Sequence, residues 1–142
     1  MTVNDIEDLL IEKIRAIKNA GVALFADVVN MTANEFSLAE PEALPVAAVS
    51  FYGDENTGTL SRLVLKETYE VLVVTRKSGT DPARSTTVLS ESVRDAIHGN
   101  AWGLPDVSPF QYQGRNRLDT QGQLNVYSLK FQTTHVLQVV TP

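Results

Sequence analysis

Apolar residues recur along this chain with two periods, and the switches between them mark its elements. Ile6, Leu9, Leu10, Ile14 and Ile17 fall three and four apart, which predicts an amphipathic helix over about residues 3–19, ended by Gly21. Thr2 stands at its N-cap with Asp5 three residues on, and Asp5, Glu7 and Asp8 suit the positive end of the helix dipole. The best-marked unit runs from Glu67 to Asn100. Val71-Leu72-Val73-Val74 is apolar at every position, which predicts a strand covered on both faces in mid-sheet. A second helix follows over about residues 82–98, with Asp81 as N-cap, Pro82 at its first position and Gly99 as C-cap. Leu89, Val93, Ala96 and Ile97 form its apolar stripe.

Between these landmarks the pattern has period two or none. Val22 to Val29 reads as a short strand with Val22, Leu24, Ala26 and Val28 on one side. Asn30 to Pro45 is polar, acidic and proline-bounded, a loop with a helical turn near Thr32–Phe36, and Pro45 to Tyr52 is a strand. Gly53 to Gly58 reads as a turn or loop, and Leu60 to Leu65 as either the start of the next strand or a separate one. Glu67 to Arg76 is the central strand. After an irregular Asn100–Pro105 segment, Val107 to Leu118 reads as a strand with Phe110 and Tyr112 on one face, and Asp119–Gln123 as a hairpin turn. The last strand, Leu124 to Val140, alternates cleanly: Tyr127, Leu129, Phe131, Thr133, His135, Leu137 and Val139 face one way, Ser128, Lys130, Gln132, Thr134 and Gln138 the other.

Composition narrows the function classes. The 142 residues fit one domain, 1–142, and contain no cysteine, which removes disulfides, thiolate metal sites and a cysteine nucleophile. Two histidines make a multi-histidine metal site improbable. Net charge is −5, but residues 1–57 carry ten acidic and three basic side chains, while residues 58–142 carry nine basic and seven acidic. An acidic chain without a basic stripe is a poor nucleic-acid binder. The asymmetry reads either as a solvated acidic helix and loop or as complementary charge between neighbouring copies. Acidic residues stand where a signal peptide needs basic ones, and no apolar run approaches a membrane span, so a soluble, cytoplasmic product is expected.

Chemistry is sparse. Gly53-Asp54-Glu55-Asn56-Thr57-Gly58 lacks the Lys-Ser/Thr and following helix of a phosphate loop, and lacks the alternating acids of a calcium loop. His98 is explained by the negative end of the second helix, and His135 by the apolar register of the last strand. No serine lies in a Gly-x-Ser-x-Gly elbow, so the residues predict no enzyme, no metal and no cofactor. Arg115 and Arg117, with Phe110 and Tyr112, make a basic-aromatic patch that is either an exposed strand edge or a contact surface; Trp102 beside it is either a core plug or an anchor.

The order of landmarks adds a resemblance. Ile6-Glu7-Asp8 opens the first helix, Leu44-Pro45-Val46-Ala47-Ala48-Val49 makes an early strand, and Tyr69–Thr75 a central one. The second helix carries Leu89, Val93-Arg94, Ile97 and Gly99, and the last strand Val126-Tyr127-Ser128-Leu129-Lys130-Phe131. Over about residues 5–137 this resembles the phage Mu-type tail terminator family, and more broadly the tail-completion proteins of long-tailed phages; Asn30–Pro45 is longer and more acidic than the family pattern. The resemblance implies an α+β subunit whose two main helices pack on one face of a mixed, largely antiparallel sheet. It implies a hexameric ring at the head-proximal end of the tail, assembled in the host bacterial cytoplasm, which stops tube polymerisation and prepares head joining. The implied partners are other copies, the tail tube, the sheath in contractile tails and a head-completion protein. DNA passes through without specific binding. Under this reading Trp102, Phe110, Tyr112, Arg115 and Arg117 are candidate interface residues, and Glu40 and Glu42 are candidates for an acidic lumen. Alternatives are a head–tail connector or neck protein, and a small-molecule-binding or enzymatic α+β domain with its pocket between the second helix and the sheet.

Overall fold

A computed structural model describes residues 1–31, 44–76, 86–118 and 124–138. The elements run α1 (Val3–Arg15), β1 (Lys18–Asn19), β2 (Val22–Ala23), β3 (Asp27–Asn30), β4 (Val46–Asn56), β5 (Arg62–Arg76), α2 (Thr86–Ile97), β6 (Gln111–Leu118) and β7 (Leu124–Gln138). Five strands form one sheet in the order β3-β4-β5-β7-β6. Only β3 and β4 are parallel; the other three pairings are antiparallel. The fold is therefore α+β with a mixed, largely antiparallel sheet, and β5 takes the central place that the Val71–Val74 run predicts.

Both helices cover one face. Ile6, Leu10 and Ile14 of α1 share a buried cluster with Leu89, Val93 and Ile97 of α2 and with Ala47, Val49, Tyr69, Val71, Val73, Leu129 and Phe131 from the strands. A second apolar cluster on the opposite face joins Val46, Ala48, Leu72, Val74, Leu124 and Val126. Burial on both faces explains why β5 shows no alternation over Val71–Val74.

Several boundaries differ from the sequence pattern. Thr2 and Asp5 form the expected capping box, but α1 stops at Arg15. Residues beyond it make a small hairpin, β1–β2, through Ala20 and Gly21, both at positive φ (51° and 80°). A two-residue turn of this kind needs positive φ at both positions, and Ile17 stays packed on the core just past the helix, its N–H bonded to Ile14 O, so its spacing from Ile14 mimics a helix. Val22 is accordingly exposed, while Leu24 and Val28 are buried. The Gly53–Gly58 loop reading is corrected in part: residues 53–56 continue β4, paired with Thr68, Glu67, Lys66 and Leu65, and the turn begins at Thr57. Of the Leu60–Leu65 run, residues 62–65 open the same strand as Glu67–Arg76. Polar residues stand there because this part of the sheet projects beyond the helices. β6 starts at Gln111; before it, Val107 makes a single bridge to His135. In α2, Leu89, Val93 and Ile97 are buried as expected, and Gly99 closes the helix at φ 81°. Asp81, Pro82, Thr32–Phe36, Asp119–Gln123 and Val139 lie outside the described residues.

One row of side chains organises the helix-covered face. Phe51, Tyr69, Phe131 and Tyr112 are successive ladder partners across β4, β5, β7 and β6. Phe51 meets Tyr69 edge-on at 5.5 Å, and Tyr112 meets Phe131 at 5.6 Å. Both outer strands shift register immediately after the row, between Phe51 and Gly53 and between Tyr112 and Gly114. Gly114 carries the second irregularity at φ 119°.

Candidate interaction surfaces

Each end of the aromatic row is closed by a side chain from the helix layer. Phe51 N–H points away from β5 and donates to Glu7 Oε2 at 2.7 Å, while Asn30 Nδ2 donates to Glu7 Oε1 at 3.2 Å. Glu7 is thus a buried acceptor, 2% exposed, placed where the short β3 runs out. At the other end Tyr112 N–H donates to His98 Nδ1 at 3.0 Å. His98, just past the end of α2, thus also serves the sheet edge by accepting at Nδ1. Unpaired edge groups invite further strands, and these two caps each occupy one such amide at an end of the row.

The candidate residues from the sequence do not form one patch. Phe110 is 1% exposed, meets Tyr69 edge-on at 6.0 Å and Trp102 at a tilt at 5.8 Å, and so supports the surface from below. Trp102 is half-buried at φ 48°, rare for a bulky residue, with Lys13 Nζ 5.7 Å from its ring centroid. Arg115 is used in packing: it donates to Ser90 Oγ at 2.8 Å, approaches Glu91 at 3.5 Å and lies over Tyr127, fastening α2 to β6. Arg117 is exposed and donates to Asn125 Oδ1 at 3.3 Å. Tyr112 lines an open depression of ≈ 290 Å³ with Arg94, Asp95 and His98, where the end of α2 meets the β6 edge of the sheet. Glu40 and Glu42 lie outside the described residues.

Beyond the row, β4, β5 and β7 continue as a three-stranded arm. At its root Glu67, Tyr69 and His135 form a buried polar cluster. Tyr69 O–H donates to Glu67 Oε1 at 3.3 Å, and His135 Nδ1 lies 3.2 Å from the same oxygen, close enough for an ion pair yet not aligned for a hydrogen bond. Burial pushes the Glu67 carboxyl above its ordinary range, against the opposing pull of His135, and raises Tyr69 as well. A raised carboxyl means that the folded chain holds this proton more tightly than the unfolded one. Glu67 therefore stabilises fully below the ordinary glutamate range, and that contribution is lost as pH rises through its folded value. Glu67→Gln removes the dependence. Its melting temperature, measured from about pH 4 to about pH 8, is expected to gain on the parent as pH rises; a constant difference would contradict the assignment.

At the arm's end, residues 57–61 turn β4 into β5. Thr57 N–H donates to Val64 O, Thr59 N–H to Arg62 O, and Gly58 N–H to Asn56 Oδ1. A Cβ on Gly58 would stand 2.1 Å from Arg62 O, so only glycine fits. Leu60 is fully exposed at the tip. Among the described residues no group of three or more acidic or histidine side chains is placed to hold a metal, and no helix is long and apolar enough to cross a membrane.

In sequence, no protein-family model and no curated protein matches this chain. In shape, it is similar to a chain of the solved virion of a native gene transfer agent particle, with a TM-score of 0.63 at 14% identity, covering 96% of this chain and 98% of that one. At that identity the likeness establishes a shared fold.

Proposed function

We propose that this protein is a structural subunit of a phage-like virion, acting at the head-proximal end of a tail as a hexameric ring that ends tube polymerisation and prepares head joining. The observation that carries the reading is the match to a virion chain over nearly the whole of both chains. Support also comes from the landmark residues of the tail-terminator resemblance and from an arm whose tip is committed to no contact within the chain. In this reading Trp102, Tyr112 and Arg117 offer surface to neighbours, Arg115 and Phe110 hold that surface in place, and Glu40 and Glu42 belong to the lumen. The role is structural rather than catalytic.

Deleting the gene in the producing cell and imaging the particles tests the role. Headless tails of irregular length are expected. Complete infectious or transfer-competent particles would reject it, and tails of normal length that fail to join heads would move the protein to a neck or connector position.

A further inference from the structure

The tip of the β4–β5 hairpin and the α2–β6 depression are complementary. Leu60 is an exposed apolar residue on a turn held by its own hydrogen bonds, so it is presented without an ordering cost on contact. The depression is open and lined by the Arg94 stem, Asp95, His98 and Tyr112, with the His98–Tyr112 hydrogen bond fixing its floor. Charge follows the same pairing. Among the described residues Arg62, exposed beside the tip, makes no side-chain ion pair or hydrogen bond, whereas Lys66 faces Glu55 across the ladder. On the rim, the Asp95 side chain is 68% exposed and pairs, among the described residues, with its sequence neighbour Arg94 at 2.9 Å, with Glu91 one turn earlier on the same helix side.

The two features cannot meet within one chain. The tip joins β4 to β5, while the depression lies beyond β7 at the β6 edge. We propose that Leu60 inserts into the α2–β6 depression of a second copy of this chain, with Arg62 meeting Asp95 across the contact. A knob on one surface and a socket on another make a head-to-tail contact, which closes into a ring when the rotation permits. The proposal rests on the ring reading above and supplies its contact. The proposed contact is made by side chains, with Glu7 and His98 already occupying the Phe51 and Tyr112 amides at the two ends of the aromatic row.

The chain has no cysteine, so introduced thiols are unique. Leu60→Cys and Asp95→Cys are combined in one chain and treated with a short bis-maleimide, alongside native mass measurement of the parent. A ladder of linked species is expected from the double variant, linked dimers from a mixture of the two single variants, and none from either alone. Leu60→Asp, which alters no buried contact, should keep the parent melting temperature and weaken association at least about tenfold. An oligomeric parent without the ladder overturns this contact and leaves the ring standing. Linking by Leu60→Cys alone overturns it in favour of a tip-to-tip dimer. A parent that stays monomeric at high concentration, with no links, removes both this contact and the isolated ring.

Discussion

Phe131→Ala is expected to destabilise the fold by about 3–5 kcal/mol, measured by urea unfolding at neutral pH. Phe131 is fully buried in β7, between Tyr69 of β5 and Tyr112 of β6 in the ladder. Removing its ring leaves a void that neither neighbour can fill. Tyr69 is held by the O–H bond to Glu67 and by edge contacts with Phe51 and Phe110, and Tyr112 is held by its backbone bond to His98. Cavity terms are largest where the surroundings cannot collapse. A loss below about 1.5 kcal/mol would show that the row repacks.

Glu7→Ala should cost about 2–3 kcal/mol, because two donors, Phe51 N–H and Asn30 Nδ2, lose a buried acceptor at once. Glu7→Gln keeps one acceptor oxygen but turns an amide N–H₂ toward the other donor, so recovery of roughly half is expected. Hydrogen exchange at the Phe51 amide reads the same event locally and should accelerate in Glu7→Ala before global stability is lost. A cost near zero with unchanged exchange would mean that water closes this edge equally well.

Glu7 also shows where the sequence is legible and where it is not. The stripe of α1, the Val71–Val74 run, the stripe of α2 and the alternation of β7 place the helices, the central strand and the two-layer arrangement, because burial imposes a period on residue choice. Glu7 carries a readable signal as well. It stands four after Val3 and three before Leu10, within the buried face, yet an acid near a helix N-terminus is equally explained by the helix dipole. The arm was hidden for a related reason. Gly53 to Asn56 pair with β5 by backbone bonds while their side chains meet solvent, and polarity without period reads as a loop. Arg115 and Phe110 look like surface candidates in sequence because residue type does not reveal that Ser90, Glu91 and Trp102 come to meet them. The proposed knob and socket are invisible for the same reason, since they lie on segments distant in the chain, and neither the shape nor the charge pairing of Leu60–Arg62 with the Asp95 rim shows in residue order.

The aromatic row has a mechanical consequence. Above it the sheet is clamped between helices and a second apolar cluster; below it β4, β5 and β7 run on as a cantilever, braced along β7 by residues 106–108 and free at Leu60. A load on the tip produces its largest bending moment at the root, where β4 bulges and where Glu67 and His135 are buried. Stiffness of the arm is thus set by residues some distance from the tip, and a subunit seated on Leu60 would inherit its angle from the row.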